Sequence, residues 1–316
     1  MSTLIETKNL RKYFTTPRGK LHAVDDISIC IEEGTTLGVV GESGCGKSTL
    51  GRTILRLLEP TSGDILYRGE SIMKYNHLQM RDMRRKMQMI FQDPYSSLNP
   101  RMNVSQLIME PIKVCGTIKD KDEIQEKIRT LMKTVGLAER FAGAYPHELD
   151  GGRRQRIGIA RALALDPEFI VCDEPVSALD VSIQAQILNL LMDLQDEGKL
   201  TYMFVTHNLS VVKHISKQIA VMYLGQCIEF ADTDMIFENP LHPYTKSLLA
   251  AIPSPSLESR NRDFEPIKGE VTSPINPAEG CRFAARCPFA TEACVGHPFP
   301  LKEVEPGHFV ACEKFM

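Results

Sequence analysis

The chain of 316 residues lacks the features that mark secreted, membrane-spanning and nucleic-acid-binding proteins. Its first residues, MSTLIETKNLRKYF, contain no apolar core of a secretory signal, so we expect no leader. No run approaches the roughly 18 consecutive apolar residues of a membrane span. A net charge of −3 gives no general attraction to nucleic acid or to acidic membranes. We therefore expect a cytoplasmic protein with no nucleic-acid partner.

Internal repeats and low-complexity segments are also absent, whereas prolines and cysteines are unevenly distributed. Eleven of the 19 prolines and four of the nine cysteines follow residue 239. Proline-rich sequence indicates loop-rich structure, so residues 241–316 are expected to form an irregular extension of residues 1–240. Without a signal sequence, cysteines favour reduced thiols or metal ligands over disulfides.

Before residue 240, short apolar runs alternate with helical patterns, which is typical of an α/β fold with a mostly parallel sheet. The pattern predicts strands over 35–41, 168–175 and 201–207 and helices over 47–58 and 182–198. Strand signals disappear between residues 100 and 166, where residues 121–136 carry a helical apolar stripe. A helical subdomain at about 97–166 is therefore expected to interrupt the α/β core.

The segment 41–49, GESGCGKST, matches the phosphate-binding pattern G-x-x-x-x-G-K-[ST] and lies between a predicted strand and a predicted helix. Its glycines let successive backbone N–H groups converge on phosphate oxygens, and the helix N-terminus adds a partial positive charge. Lys47 is expected to reach the β- and γ-phosphates, and the Ser48 hydroxyl is expected to ligate Mg²⁺. The predicted ATP-binding residues of this phosphate loop are Gly41, Ser43, Gly44, Cys45, Gly46, Lys47, Ser48 and Thr49.

Two acids, Asp173 and Glu174, follow the apolar run FIVC at 169–172. Asp173 is expected to hold Mg²⁺, and Glu174 is expected to polarise the attacking water as a general base. A carboxylate next to the Mg²⁺ ligand suits the activation of water. The pattern therefore predicts hydrolysis of a phosphoanhydride rather than phosphorylation of a small substrate.

In their order and spacing, these motifs resemble those of the ATP-binding subunits of ABC transporters over nearly the whole chain. The resemblance implies that Gln92 in IFQDP contacts the γ-phosphate, Mg²⁺ and the membrane subunits. It also implies that Asp180 in SALD crosses a dimer interface, and that His207 in FVTHN acts with Gln92 and Glu174 in catalysis. Tyr13 and Phe14 lie where the family stacks an aromatic ring on adenine, and the register favours Phe14.

The stretch LDGGRRQR at 149–156 is similar to the family's signature, usually L-S-G-G-Q, which closes over the partner subunit's phosphate loop. Asp150 replaces the serine and Arg153 replaces the glutamine, while Gly151 and Gly152 are retained. One interpretation is that Asp150 repels the partner's γ-phosphate, which predicts a heterodimer with one slow site. The alternative is that Asp150 is only a helix N-cap, because Asp caps helices as well as Ser does.

A narrower resemblance, to the second (F-type) ATPase of oligopeptide/dipeptide importers, is carried by residues 93–102, 215–229 and 242–253 and by the cysteine-rich tail. It implies partners: a second ABC ATPase subunit, two membrane permeases and an extracytoplasmic peptide-binding protein. It also implies a position at the cytoplasmic face of the membrane. The expected fold is an α/β P-loop ABC ATPase core with an inserted helical subdomain and an irregular Cys/Pro-rich extension.

The function implied by the resemblance is ATP hydrolysis coupled to the import of di- or oligopeptides. ATP binding would close a head-to-tail dimer, and hydrolysis would reopen it. Two alternatives stay open at this point. One is a mainly regulatory ATP-binding subunit of a heterodimer with one degenerate site. The other is a non-transport ABC ATPase, which the lack of long coiled-coil heptads, a basic stripe or a second cassette disfavours.

Four cysteines of the tail, Cys281, Cys287, Cys294 and Cys312, have the spacing C-x5-C-x6-C-x17-C. The close C-x2-4-C pairs of most structural zinc sites are absent. Four thiolates, one of them followed by proline, suit an iron–sulfur cluster. The family resemblance implies a [4Fe–4S] cluster at these positions. Zinc and unliganded thiols remain alternatives because the wide spacing permits all three.

Overall fold

The computed structural model describes residues 2–198, 200–252 and 272–316, which group into two compact units. Unit 1 comprises the described residues of Met1–Leu4, Ile31–Thr35 and Glu70–Val205. Unit 2 comprises the described residues of Ile5–Cys30, Thr36–Gly69 and Thr206–Met316.

The strands of the described residues are, in chain order, β1 (Thr3–Thr16), β2 (Gly19–Ile27), β3 (Cys30–Glu32), β4 (Thr36–Val40), β5 (Ser62–Tyr67), β6 (Glu70–Ser71), β7 (Met87–Ile90), β8 (Phe169–Asp173), β9 (Thr201–Thr206), β10 (Gln218–Tyr223), β11 (Gln226–Asp232), β12 (Lys302–Glu305) and β13 (His308–Val310). The α-helices are α1 (Lys47–Ile54), α2 (His77–Lys86), α3 (Pro94–Ser97), α4 (Val104–Cys115), α5 (Lys121–Thr134), α6 (Gly151–Leu163), α7 (Val181–Gly198), α8 (Leu209–Ile215), α9 (Thr233–Glu238) and α10 (Pro243–Ala250). Short 3-10 helices cover Glu139–Phe141, Pro146–Glu148, Ala284–Arg286, Glu292–Cys294 and Glu313–Phe315.

Unit 2 contains two groups of paired strands. In the first, β4 runs parallel to β10, and antiparallel pairing continues from β10 through β11 and β13 to β12. In the second, β1 lies between β2 and β5 and is antiparallel to both. All five residues of β4, TLGVV, are buried, as expected of a parallel strand in an α/β fold. This confirms the strand predicted over 35–41.

Helix α1 is shorter than the helix predicted over 47–58. It begins at Lys47, directly after Gly46, whose φ of +104° suits only glycine. It ends at Ile54 because Arg56 adopts a φ of +48°, which an α-helix cannot continue. The Arg56 guanidinium then donates to the carboxylate of Glu59 at 2.9 Å, which stabilises the turn.

Unit 1 contains a parallel strand group in which β8 lies between β7 and β9. The strands predicted over 168–175 and 201–207 appear as β8 and β9, and the helix predicted over 182–198 appears as α7. Every residue of β8 is buried, which matches its unbroken apolar run. The described residues between β7 and β8 contain only helices and loops, as predicted for the helical subdomain.

Helix α5 shows how the sequence defines the helical segment. The Asp120 side chain caps its N-terminus by accepting the N–H groups of Asp122 and Glu123, both at 2.9 Å. The apolar stripe predicted over 121–136 is buried, including Ile128 and Met132. The helix therefore packs through one face, as its periodicity predicts.

The C-terminal extension contains two strands that the sequence did not predict. β12 has four residues and β13 has three, too few for alternation of apolar and polar residues to be recognised. Between them, Gly307 adopts a φ of +77° and donates its N–H to the Glu303 carboxylate at 2.8 Å. The domain boundary at residue 240 stays a prediction. No helix in the described parts of the chain combines the length and apolarity needed to cross a bilayer.

Candidate nucleotide site

The phosphate loop of unit 2 connects β4 to α1 and encloses the side chain of Lys47. The Lys47 ammonium group is buried and donates to the carbonyl oxygens of Gly41 at 2.8 Å and Glu42 at 2.9 Å. Gly41 has a φ of +150°, and an added Cβ there would lie 2.2 Å from the carbonyl oxygen of Met222. The loop thus places a cation beside the N-terminus of α1, an arrangement that binds anions.

The other predicted residues of the loop are Ser43, Gly44, Cys45, Gly46, Ser48 and Thr49, and all belong to this turn or to the first turn of α1. Burial raises the pKa of the Cys45 thiol, and the nearby Lys47 ammonium only partly offsets this. The thiol therefore stays protonated near pH 7 and adds no negative charge to the phosphate loop.

Tyr13 and Phe14, the candidates for adenine stacking, are neighbours on β1. The Tyr13 ring stacks on His22 with centroids 4.0 Å apart, and its hydroxyl donates to the Asp25 carboxylate. Burial and this hydrogen bond raise the pKa of Tyr13 to about 12. The Phe14 ring lies under the Lys12 ammonium at 4.9 Å. Tyr13 is thus held in a polar network, whereas Phe14 presents a simple apolar ring.

In unit 1, the acid pair lies where β8 ends. Asp173, the last residue of β8, is buried, and Glu174 follows with a φ of +44°. A non-glycine residue in this left-handed region carries strain, and such strain is concentrated at functional sites. Gln92 donates from Nε2 to a carboxylate oxygen of Glu174 at 2.9 Å. The structure therefore brings together two of the predicted catalytic side chains.

The signature stretch, residues 149–156, begins helix α6. Asp150 caps this helix by accepting the Arg153 N–H at 2.8 Å, and its other carboxylate oxygen accepts from the Arg153 guanidinium at 2.7 Å. Gly151 and Gly152 form the first turn, where a Cβ on Gly152 would lie 2.8 Å from a methyl group of Ile183. The predicted N-cap is therefore present, and the effect of Asp150 on a partner's nucleotide stays a prediction.

The remaining predicted residues lie at the ends of secondary-structure elements. His207 is exposed and directly follows β9. Asp180 is exposed just before α7, and its carbonyl oxygen accepts the Gln184 N–H at 2.8 Å. Both side chains are therefore accessible, as their predicted contacts with phosphate and with a second subunit require.

Cys281, Cys287, Cys294 and Cys312 line one cavity of about 320 Å³ in unit 2. Burial raises the pKa of Cys281 to about 11, and the other three thiols add to this increase. Among the described residues, no group of three or more His, Cys, Asp or Glu side chains has the arrangement of a metal-ion site. The four predicted cysteines thus share one cavity, but they lack the side-chain arrangement of a metal-ion site.

Comparison with known proteins decides the family. Residues 24–177 match the family model "ABC transporter", and residues 228–294 match "Oligopeptide/dipeptide transporter, C-terminal region". The oligopeptide transport ATP-binding protein OppF of Bacillus subtilis (strain 168) is 51% identical over 310 residues, covering 98% of this chain and 96% of that protein. AppF of the same strain is 48% identical over 324 residues, covering 99% and 98%. The chain belongs to the oligopeptide branch of the ABC transporter ATP-binding proteins.

Solved structures of ABC cassettes have the same fold as this ATPase. The dimeric ATP-binding cassette MJ0796, bound to ADP and phosphate after hydrolysis, matches with a TM-score of 0.67 and 28% identity over 73% of this chain and 99% of that chain. CbiO1 of Clostridium perfringens matches with a TM-score of 0.67 and 26% identity over 76% and 92%. The predicted ABC fold and ATPase activity are confirmed, and ATP with Mg²⁺ is expected of the family.

Sequence reasoning missed two arginines of this ABC ATPase, Arg282 and Arg286. Both lie between Cys281 and Cys287, and their side chains are only 5% and 7% exposed. Arginine is seldom buried without a partner, yet a sequence alone does not show that these two are buried. Their partners precede them by 257 and 244 residues, beyond the reach of any local pattern.

Proposed function

We propose that this ABC ATPase couples ATP hydrolysis to the import of di- and oligopeptides. The observation that carries the proposal is the phosphate loop, in which Lys47 is buried beside the N-terminus of α1. The C-terminal match at residues 228–294 and the oligopeptide transport relatives support the peptide substrate.

In this mechanism, Lys47 and the N–H groups of the phosphate loop bind the β- and γ-phosphates. The buried carboxylate of Asp173, the Ser48 hydroxyl and the Gln92 amide suit Mg²⁺, which prefers oxygen ligands. When bound, Mg²⁺ would neutralise charge that develops on the transferred phosphoryl group. Phe14, rather than the hydrogen-bonded Tyr13, would stack on adenine.

Glu174 is the proposed general base. It would accept a proton from the attacking water while the water oxygen forms a bond to the γ-phosphorus and ADP leaves. The hydrogen bond from Gln92 fixes the orientation of the carboxylate before this step. His207 would contact the γ-phosphate as it separates from ADP.

The proposed partners are a second ABC ATPase, two membrane permeases and an extracytoplasmic peptide-binding protein, at the cytoplasmic face of the membrane. In a head-to-tail heterodimer, Asp150, Gly151, Gly152 and Arg153 would face the partner's ATP, and Asp180 would cross the interface. The oligopeptide relatives do not favour the alternatives of a mainly regulatory subunit or a non-transport ABC ATPase.

Reconstitution tests this function. The chain would be assembled in proteoliposomes with the proposed second ATPase, permeases and binding protein, and uptake of a labelled peptide would be measured with ATP turnover. We expect uptake to require ATP and to stop with Lys47→Ala, which should also lose affinity for a fluorescent ATP analogue. Peptide-independent turnover without uptake would contradict the import function.

We propose in addition that the four tail cysteines hold a [4Fe–4S] cluster, with zinc as the alternative. The proposal is supported by their position around one cavity. A cluster is larger than a single ion, so its thiolate ligands surround a cavity rather than converge on one point. Such a cluster would connect segments of an extension with little apolar core of its own.

Elemental analysis tests the cluster. Anaerobically purified protein should be brown with about four iron atoms per chain. Cys294→Ser should remove the iron while ATP-analogue binding persists, and Cys115→Ser, outside the cavity, should keep it. One zinc per chain without iron would favour the zinc alternative, and neither metal would favour free thiols.

A further inference from the structure

Arg286 connects the cysteine-rich tail to the phosphate loop. Its two terminal nitrogens donate to the two carboxylate oxygens of Glu42 at 2.9 and 3.1 Å. Glu42 is the second residue of the phosphate loop, directly after Gly41. Arg286 also donates to the Tyr223 hydroxyl at 3.2 Å. This paired geometry fixes both the position and the orientation of the Glu42 side chain.

The backbone of Glu42 is held as well as its side chain. Its N–H donates to the Tyr244 hydroxyl at 2.9 Å, and its carbonyl oxygen accepts from the Lys47 ammonium. Tyr244 is fully buried, with its ring packed against Tyr223 and the tail residue Phe283. The conformation of the phosphate loop at Glu42 therefore depends on Tyr244 and Arg286, which lie 202 and 244 residues later in the sequence.

Arg282 makes a corresponding contact at the proposed adenine end. Its guanidinium donates to the Asp25 carboxylate and to the carbonyl oxygen of Leu224. Asp25 also accepts from the Tyr13 hydroxyl and pairs with His22 Nδ1 at 3.1 Å. Burial alone would raise the pKa of Asp25, but these hydrogen bonds and the Arg282 charge hold it below its usual value. Arg282 thus stabilises the charged acid that holds Tyr13 and His22.

The pairing at Glu42 matters because of charge. A carboxylate beside a triphosphate is repulsive, and the side chain of Glu42 is only 29% exposed, so solvent screens it incompletely. The guanidinium of Arg286 compensates this charge by contacting both carboxylate oxygens. Lysine cannot reproduce the fork that contacts both carboxylate oxygens.

We infer that Arg286 and Arg282 are positioning residues for ATP. Arg286 acts through Glu42 of the phosphate loop, and Arg282 acts through Asp25 and Tyr13, the neighbour of Phe14 in β1. The inference rests on the proposed function, since it takes residues 41–49 as the ATP site. The four-cysteine segment, which contains both arginines, then helps to set the conformation of the ATP site.

Equilibrium binding of a fluorescent ATP analogue to the full-length chain tests the inference. Arg286→Met should weaken binding about tenfold, because it leaves Glu42 uncompensated and frees the loop. The affinity of Arg286→Lys for the analogue should lie between those of the parent and of Arg286→Met. In the Glu42→Gln background, Arg286→Met should cost much less, because the uncompensated charge is gone. Lys302→Met is the matched control, because the Lys302 ammonium donates to the Phe315 carbonyl oxygen rather than to the phosphate loop, so its loss should leave affinity unchanged.

Competition with inorganic tripolyphosphate, which lacks adenosine, distinguishes effects at the phosphate end of the proposed site from effects at its adenine end. Arg286→Met should weaken tripolyphosphate binding as much as it weakens ATP binding. Arg282→Met should weaken ATP binding and leave tripolyphosphate binding unchanged, because Asp25 holds Tyr13, whose neighbour Phe14 is the proposed adenine contact. The thermal unfolding midpoint of each variant is measured together with its nucleotide affinity.

The outcomes are distinct. Parental nucleotide affinity in Arg286→Met or Arg286→Lys, even with a lowered unfolding midpoint, would overturn the inference and leave these pairs as structural links of the tail. If Arg286→Met does not fold, equal affinities for Arg286→Lys and the parent would overturn it in the same way. Failure of the parent chain to bind the analogue would instead overturn the proposed function.

Discussion

Two acids of this ABC ATPase, Glu42 in the phosphate loop and Asp150 in the signature stretch, lie in motifs predicted to contact phosphate, and each is paired with an arginine. The partner of Glu42 is Arg286, 244 residues away and 7% exposed. The partner of Asp150 is Arg153, three residues away, and these two side chains are 57% and 43% exposed. The first pair connects distant segments, whereas the second belongs to one helix turn. Exposed local pairs contribute little to stability, so the two pairs are expected to differ in their effects.

A third acid, Glu174, differs from both because its partner is an amide and because it is expected to take part in the reaction itself. In the reconstituted complex, Glu174→Gln should slow ATP turnover about 100-fold or more while analogue binding persists. Glu126→Gln, which changes an exposed acid paired with Arg129, should leave turnover at the parental rate. Parental turnover in Glu174→Gln would remove the assignment of Glu174 as the base.

The stability of the two pairs can be compared directly. Arg286→Met should lower the free energy of unfolding by about 2 kcal/mol, since it leaves a partly buried carboxylate without its partner. Arg153→Met should lower it by less than about 1 kcal/mol, because both side chains are exposed. Urea unfolding of the two variants measures the difference. Equal losses of unfolding free energy would show that the two pairs do not differ in their contribution to stability.

Asp150→Ser tests whether the exposed pair affects catalysis. Serine retains the N-cap, so stability should stay within a few tenths of a kcal/mol of the parent. In a heterodimer with the proposed second ATPase, turnover at the partner's phosphate loop should rise severalfold, because a negative charge near its γ-phosphate is removed. The measurement is repeated with the partner's catalytic glutamate removed, which should abolish the gain. No change in turnover would leave Asp150 as a helix cap alone.

The smallest effect is expected from the pH dependence of the Arg282–Asp25 pair. The pKa of Asp25 is lower in the folded chain than its unfolded value of about 4, so the pair stabilises the fold above about pH 4. This contribution is lost as the pH falls through the folded pKa. The parent should therefore lose more stability between pH 6 and pH 3.5 than Asp25→Asn, as measured by urea unfolding. Equal losses would show that folding does not lower the pKa of Asp25.

The phosphate loop, the acid pair and the signature stretch could be predicted because each is a local pattern with its own chemistry. The buried run of β8, the stripe of α5 and the cap at Asp150 follow from the same short-range rules. The end of α1 could not be predicted, since nothing in KSTLGRTILRLL shows that Arg56 adopts a positive φ.

The contacts of Arg282 and Arg286 were beyond sequence reasoning for a different reason. Their burial and their partners depend on how the tail packs against β1, β2 and the phosphate loop within unit 2. Hydrophobic periodicity carries no information about such pairings. The four-cysteine site was suggested only by the number of thiols, the proline after Cys287 and the family resemblance, and the wide spacing permits several arrangements.

The distance in sequence between Glu42 and its partners has a consequence for biosynthesis. The phosphate loop leaves the ribosome early, but Tyr244 and Arg286 follow it by 202 and 244 residues. At a synthesis rate of about 5–20 residues per second, the phosphate loop exists without these two partners for roughly 12 to 50 seconds. Until then, Glu42 has neither its guanidinium partner nor the Tyr244 hydroxyl. On the inference that Arg286 positions Glu42 for ATP, a ribosome-bound chain should bind ATP tightly only after the tail has been synthesised.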